Sequence, residues 1–158
     1  MSAPFLSYLE LLNELSSSLD QLAQLAQQKA GVVRQSDLMG LDDVLKQEQA
    51  MTLNLRGMEQ KRQKLVAQLG LEGTALSELP GRCPEELEPQ ARQTVESLRQ
   101  SYSVYRSCAD AARSTLELNL HEIEKVIAAS GVDPKLAAAG YETPSAEPPQ
   151  KMKTDFRA

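Results

Sequence analysis

The sequence predicts an all-α protein: an elongated antiparallel helical hairpin, a third long helix packed in coiled-coil fashion, and a mobile C-terminal tail. Three observations predict it. An apolar rhythm of alternating threes and fours returns in three long segments, which keeps one stripe on one side of a slightly underwound helix. Period-two alternation is nowhere sustained, so no sheet is expected. Aromatics make up 4% of the 158 residues and tryptophan is absent. The core must then be built from Leu, Ala, Val, Ile and Met, which suits thin helix-on-helix packing. A chain of this length forms one domain, assigned to residues 1–131, with residues 132–158 as a flexible tail.

The first stripe is Tyr8, Leu12, Leu15, Leu19, Leu22 and Ala26. Pro4 suits the start of this helix, where its missing N–H would have no partner anyway. The helix is expected to reach about Gln35, with Gly31 as a weak point. Ser36 or Asp37 can cap the next helix by accepting from its free N–H groups. The second stripe is Leu41, Leu45, Glu48, Met51, Leu55, Met58, Arg62, Leu65 and Leu69, and Gly70 suits a left-handed end. So short a connection folds the two helices back as a hairpin. The competing arrangement is one uninterrupted helix through residue 36, whose stripe a partner chain covers. Glu48 and Arg62 fall on or beside the second stripe. Burying ionised groups is costly, so they are read as seam-edge residues, the alternative being polar pairs that fix register.

Gly70, Gly73, Pro80, Gly81, Pro84 and Pro89 punctuate the linker that follows, with room for a helical turn around Thr74–Leu79. The third stripe is Leu98, Tyr102, Tyr105, Ala109, Ala112, Leu116, Leu120, Ile123 and Ile127. Its helix is expected from Pro84 or Pro89 to Ser130, with Glu85, Glu86 and Glu88 complementing the positive end of the dipole and Gly131 ending it. Tyr102 and Tyr105 bring polar tips to the apolar face, so this helix is the one expected to keep spare surface. Beyond it lie a small patch at Leu136–Ala139 and the breakers Gly140, Pro144, Pro148 and Pro149, a composition that predicts a tail disordered on its own. Met152 and Phe156 are four apart and share a face if the end becomes helical on a partner.

Several function classes are argued against. The net charge is −5, whereas phosphate binding needs clustered Lys and Arg, so no nucleic acid is expected. No apolar run is long enough to cross a membrane, and no secretory signal is seen in the first thirty residues. A helix running between Cys83 and Cys108 would hold them about 35 Å apart, so two unpaired thiols are expected, which fits a reducing cytosol. His121 shares a helix face with Glu117 and Glu124. The di-iron bundle pattern instead needs Glu three residues before His, and position 118 is Leu. A solvated face is the reading. One histidine and scattered acids assemble no catalytic constellation, and there is no phosphate loop. Neither an enzyme nor a cofactor nor a metal is expected. The remaining classes are a binding protein, monomeric or homodimeric, and a structural coiled-coil homodimer without a client.

The stretch formed by Val32, Val33, Asp37, Leu38, Leu41, Leu45, Glu48, Leu55, Met58, Glu59, Arg62 and Leu65 resembles the signature of the FlgN-type flagellar export chaperones. The likeness consists of an aliphatic pair, an Asp opening a long helix and a Leu-Glu-x-x-Arg-like element, here with Met58 in the Leu place. The order of helices and linker is similar too, as are Gly140–Tyr141 and the basic-aromatic-Ala end. The last helix departs from the pattern: only Asn119, in Leu118–Asn119–Leu120, stands where that family is rich in Asn and Leu. The resemblance implies a cytoplasmic chaperone that binds hook–filament junction (hook-associated) proteins. It would prevent their premature assembly and deliver them to the flagellar type III export apparatus. It also implies that the C-terminal region takes part in client binding. That places the candidate residues at Ile123, Ile127, Leu136, Tyr141, Met152 and Phe156.

Overall fold

In the computed structural model, residues 2–131 are described, and among them there is no strand. Three long helices dominate: α1 (Ser2–Arg34), α2 (Leu38–Leu69) and, after a connector, α4 (Glu88–Ala129). The connector holds a 3-10 turn at Leu76–Glu78, the four-residue α3 (Leu79–Arg82) and a second 3-10 turn at Glu85–Leu87. At 1.5 Å per residue, α1 and α2 are each about 50 Å long and α4 about 63 Å.

The α1–α2 turn is made by backbone chemistry that the sequence signals clearly. Ser36 sits in the left-handed region at φ 56°, and the Asp37 N–H donates to the Val32 carbonyl at 2.9 Å, closing the end of α1. Asp37 then caps α2, its Oδ1 accepting from the Gly40 N–H at 2.9 Å. Gly31 does not interrupt α1. The chain therefore folds back on itself, and the single uninterrupted helix does not occur. Gly40 has to be small, because a Cβ there would collide with the capping Asp37 carboxylate and crowd Val32. Asp37→Ala is expected to cost about 1 kcal/mol, read as a lower urea midpoint with unchanged slope. Gly40→Ala should do similar damage despite alanine's better helix propensity, because the cap must move aside.

At the other end of α2, Gly70 takes φ 67° and Leu71 donates to the Val66 carbonyl at 2.9 Å. This arrangement turns Leu71 inward, where it is buried. Leu79 from α3 is buried beside it, and Leu76 and Cys83 pack against the same core. The connector is thus a lid on one end of the bundle.

α1 is the central helix and packs along both α2 and α4. Its buried set is correspondingly wide: Leu9, Leu11, Ser16, Ser18, Ala23 and Leu25 are buried in addition to every residue of the predicted stripe. Ser16 satisfies its hydroxyl by donating to the Leu12 carbonyl at 3.2 Å, and no buried side-chain polar atom among the described residues lacks a partner. The course of α2 is antiparallel to α1, as Lys29 meets Glu48 and Ser18 meets Met58. By contrast, α4 runs parallel to α1. Ala91, Val95 and Leu98 join the core of the first half of α1, while Ala112 packs on Ala26 and Ala30 of the second half. The long connector makes this possible by returning the chain to the starting end. One predicted stripe position shifts: Val44, not Leu45, is the buried residue in the second turn of α2, and Leu45 is exposed.

Candidate protein-binding surface

The parallel course of α1 and α4 sets up the surface of interest. Ala30 of α1 packs with Ala112 of α4, and α1 ends only four residues later, at Arg34. About three and a half turns of α4, some 20 Å, therefore continue past the turn that joins α1 to α2. The apolar stripe does not stop there. Leu116, Leu120, Ile123 and Ile127 continue the line of Leu98, Tyr102, Tyr105, Ala109 and Ala112. Within the bundle that line is buried or half-buried. Beyond it Leu120 is 56% exposed and Ile123 48%, Leu116 and Ile127 are half-buried, and Val126 beside the stripe is 67% exposed. Leu38 and Met39, at 79% and 83%, are exposed at the same end of the molecule. Large contiguous apolar patches mark interaction sites, which makes this end of the molecule the candidate surface.

Of the residues expected to bind a partner, Ile123 and Ile127 lie on this overhang, Ile127 half-buried. Leu136, Tyr141, Met152 and Phe156 lie outside the described residues. The extra members of the exposed set, Leu120 and Val126, and the pair Leu38 and Met39, were not singled out from sequence. Leu120 could have been, since it stands on the third stripe. Leu38 and Met39 carry no periodic signal that separates them from core.

Glu48 and Arg62 are neither solvated nor orphaned. The Glu48 carboxylate receives the Lys29 ammonium of α1 at 2.9 and 3.1 Å, both side chains about one-fifth exposed. Arg62 makes a two-pronged bond to Glu59, at 2.8 and 2.9 Å, and lies beside Tyr8 of α1 in the same cleft. They sit at the seam edge and also bridge across it. Met58–Glu59–x–x–Arg62 is thus a fastening between α2 and the start of α1. Arg62→Ala is expected to cost about 2 kcal/mol, because Glu59 is left half-buried without its partner. Arg62 also lines a cleft of about 340 Å³ beneath the connector, together with Tyr8, Val66, Leu71, Leu76 and Leu79.

Burial pushes the Tyr8 hydroxyl up from its ordinary value, against an opposing pull from Arg62. Tyr105 is pushed the same way by burial, with the Glu48 carboxylate adding to it. In both cases the folded chain holds the proton more tightly than the unfolded one. Their contribution to stability is complete below the normal tyrosine range near pH 10 and is lost as pH rises through the raised values. Tyr8→Phe/Tyr105→Phe should therefore flatten the alkaline decline in the urea midpoint measured from pH 9 to 11.

Cys83 and Cys108 are free, and burial raises the Cys83 thiol while its Sγ donates to the Pro80 carbonyl, which lowers its thiolate character. Glu117, His121 and Glu124 are each exposed on α4. No group of three potential metal ligands is gathered among the described residues, and no helix there is long and apolar enough to cross a membrane.

The described residues form a long-helix bundle whose last helix leaves an apolar end open. Residues 6–141 match the family model described as FlgN protein, and the chain belongs to that family, whose general role is flagellar export chaperoning. No curated protein and no solved structure matches it.

Proposed function

We propose that this protein binds hook-associated proteins of the flagellum in the cytoplasm, keeps them from assembling early, and hands them to the type III export apparatus. Family membership supports the general role, and the uncovered end of α4 is the observation that supports a binding surface at this place. The client's part is an amphipathic helix laid against Leu120, Ile123 and Ile127, the mode by which an apolar face finds an apolar groove. Fully burying such a side chain contributes roughly 1.5–3 kcal/mol, so three anchors that are already partly covered supply a few kcal/mol and need further contacts to outweigh the cost of association. Leu136, Tyr141, Met152 and Phe156 add contacts from the C-terminal segment in this reading. A structural homodimer is less well supported, because most of the α1 stripe and the seam side of α2 are covered within one chain.

The test is calorimetric titration of a purified hook-associated protein into the full chain and into a form ending at Gly131. A one-to-one complex weakened at least tenfold by the truncation is expected. Equal affinity would remove the tail from the binding site, and no binding by either form would remove the client.

A further inference from the structure

The overhang of α4 is bordered by charge of one sign. On a helical projection Glu117 and Glu124 flank the Leu116–Leu120–Ile123–Ile127 stripe on one side, seven residues apart. From Leu116 to Ala129 the helix carries three carboxylates, with Glu122, against the single ammonium of Lys125. The end of the chain has the opposite pattern. Met152 and Phe156 are spaced four apart, Lys153 and Arg157 follow each of them by one position, and Lys151 precedes them, against the one carboxylate of Asp155. If that segment turns as a helix, two apolar anchors come with two cations along one border.

The chain length permits the two to meet. Gly131 adopts φ 75°, a left-handed conformation that ends the helix and redirects the chain. Twenty residues separate it from Met152. The stripe extends back only about 20 Å from the helix end, a distance that six or seven extended residues span. A second copy of this chain is a poorer occupant, because pairing two overhangs brings like-charged carboxylate borders together.

We propose that, before any partner binds, residues 151–157 dock on the overhang of α4, with Met152 and Phe156 seated on Leu120, Ile123 and Ile127 and with Lys153 and Arg157 beside Glu117 and Glu124. The contact keeps an adhesive helix end covered and ties exposure of that end to displacement of the tail. It goes beyond the client reading and does not depend on it.

The experiment is hydrogen exchange on the full chain and on two full-length variants, Met152→Ser/Phe156→Ser and Lys153→Glu/Arg157→Glu, followed by peptide over residues 113–130. Docking predicts about tenfold faster exchange there in the first variant and a smaller acceleration in the second, with peptides from Tyr8 to Ala26 unchanged as the folding control. Equal exchange in all three proteins overturns the proposal. So does protection that persists in the first variant together with a mass that rises with concentration, which would assign the overhang to a second copy. Client binding is measured apart from this, so failure of one leaves the other standing.

Discussion

Replacing Leu12 with alanine is expected to remove about 3–4 kcal/mol of stability and to lower the melting temperature by about 10 °C. Leu12 is fully buried on the central helix, within the core shared with α2 and α4. A helix held on one side only can let its neighbour settle into the gap. Here the neighbours on both sides are fixed by other contacts, Lys29–Glu48 and Ser18–Met58 to α2 and Ala26–Ala112 to α4. The cavity should stay largely open, and the cost should fall in the upper part of the usual range. Leu118→Ala is the matched control: the same deletion at a side chain 67% exposed should change stability by no more than about 0.5 kcal/mol. Urea denaturation of both variants decides it. A loss below about 1.5 kcal/mol at Leu12 would mean that α1 is not enclosed as described.

The second large effect is on binding. The double substitution Ile123→Glu/Ile127→Glu is expected to weaken client binding by about 100-fold or more, with the helical content and urea midpoint little changed. The separation of the two effects is the informative part. At a core position a glutamate would unfold the chain. On the overhang, where Ile123 is 48% exposed, Ile127 is half-buried and α1 has already ended, a glutamate can reach water. On the bound side each glutamate must be desolvated against the client's aliphatic face, so the penalty appears only in the complex. Retained affinity would direct attention to the cleft lined by Tyr8, Arg62 and Leu76.

These expectations rest on features that differ in how well the sequence announces them. Helix limits are local matters. Asp37 as a cap, Gly70 as a left-handed end and Pro89 in the first turn of α4 each act on backbone groups within a few residues; the sequence pointed to Gly70 directly and narrowed the others to Ser36 or Asp37 and Pro84 or Pro89. The heptad-like stripes likewise located the seam face of each helix, and Leu98, Ala112, Leu55 and the whole first stripe are buried. The candidate site was half visible: periodicity placed Ile123 and Ile127 on one face, but it could not say that the face would be uncovered.

The chain's own letters fixed that it is helical, where it turns, and which side of each helix seeks cover, because capping, propensity and 3.6-residue periodicity are short-range properties. They did not fix which helix stands in the middle or how far two helices overlap. A stripe analysis gives α1 one apolar side, yet Leu9, Leu11, Ala23 and Leu25 show that it has two. The overlap depends on register set across the bundle, by Ala26 and Ala30 against Ala112 on one side and Lys29 against Glu48 on the other. With α4 longer than α1 and parallel to it, that register carries the last turns of α4 past the end of α1. Exposure of the stripe is a relation between helices separated by long stretches of chain, and no local pattern carries it.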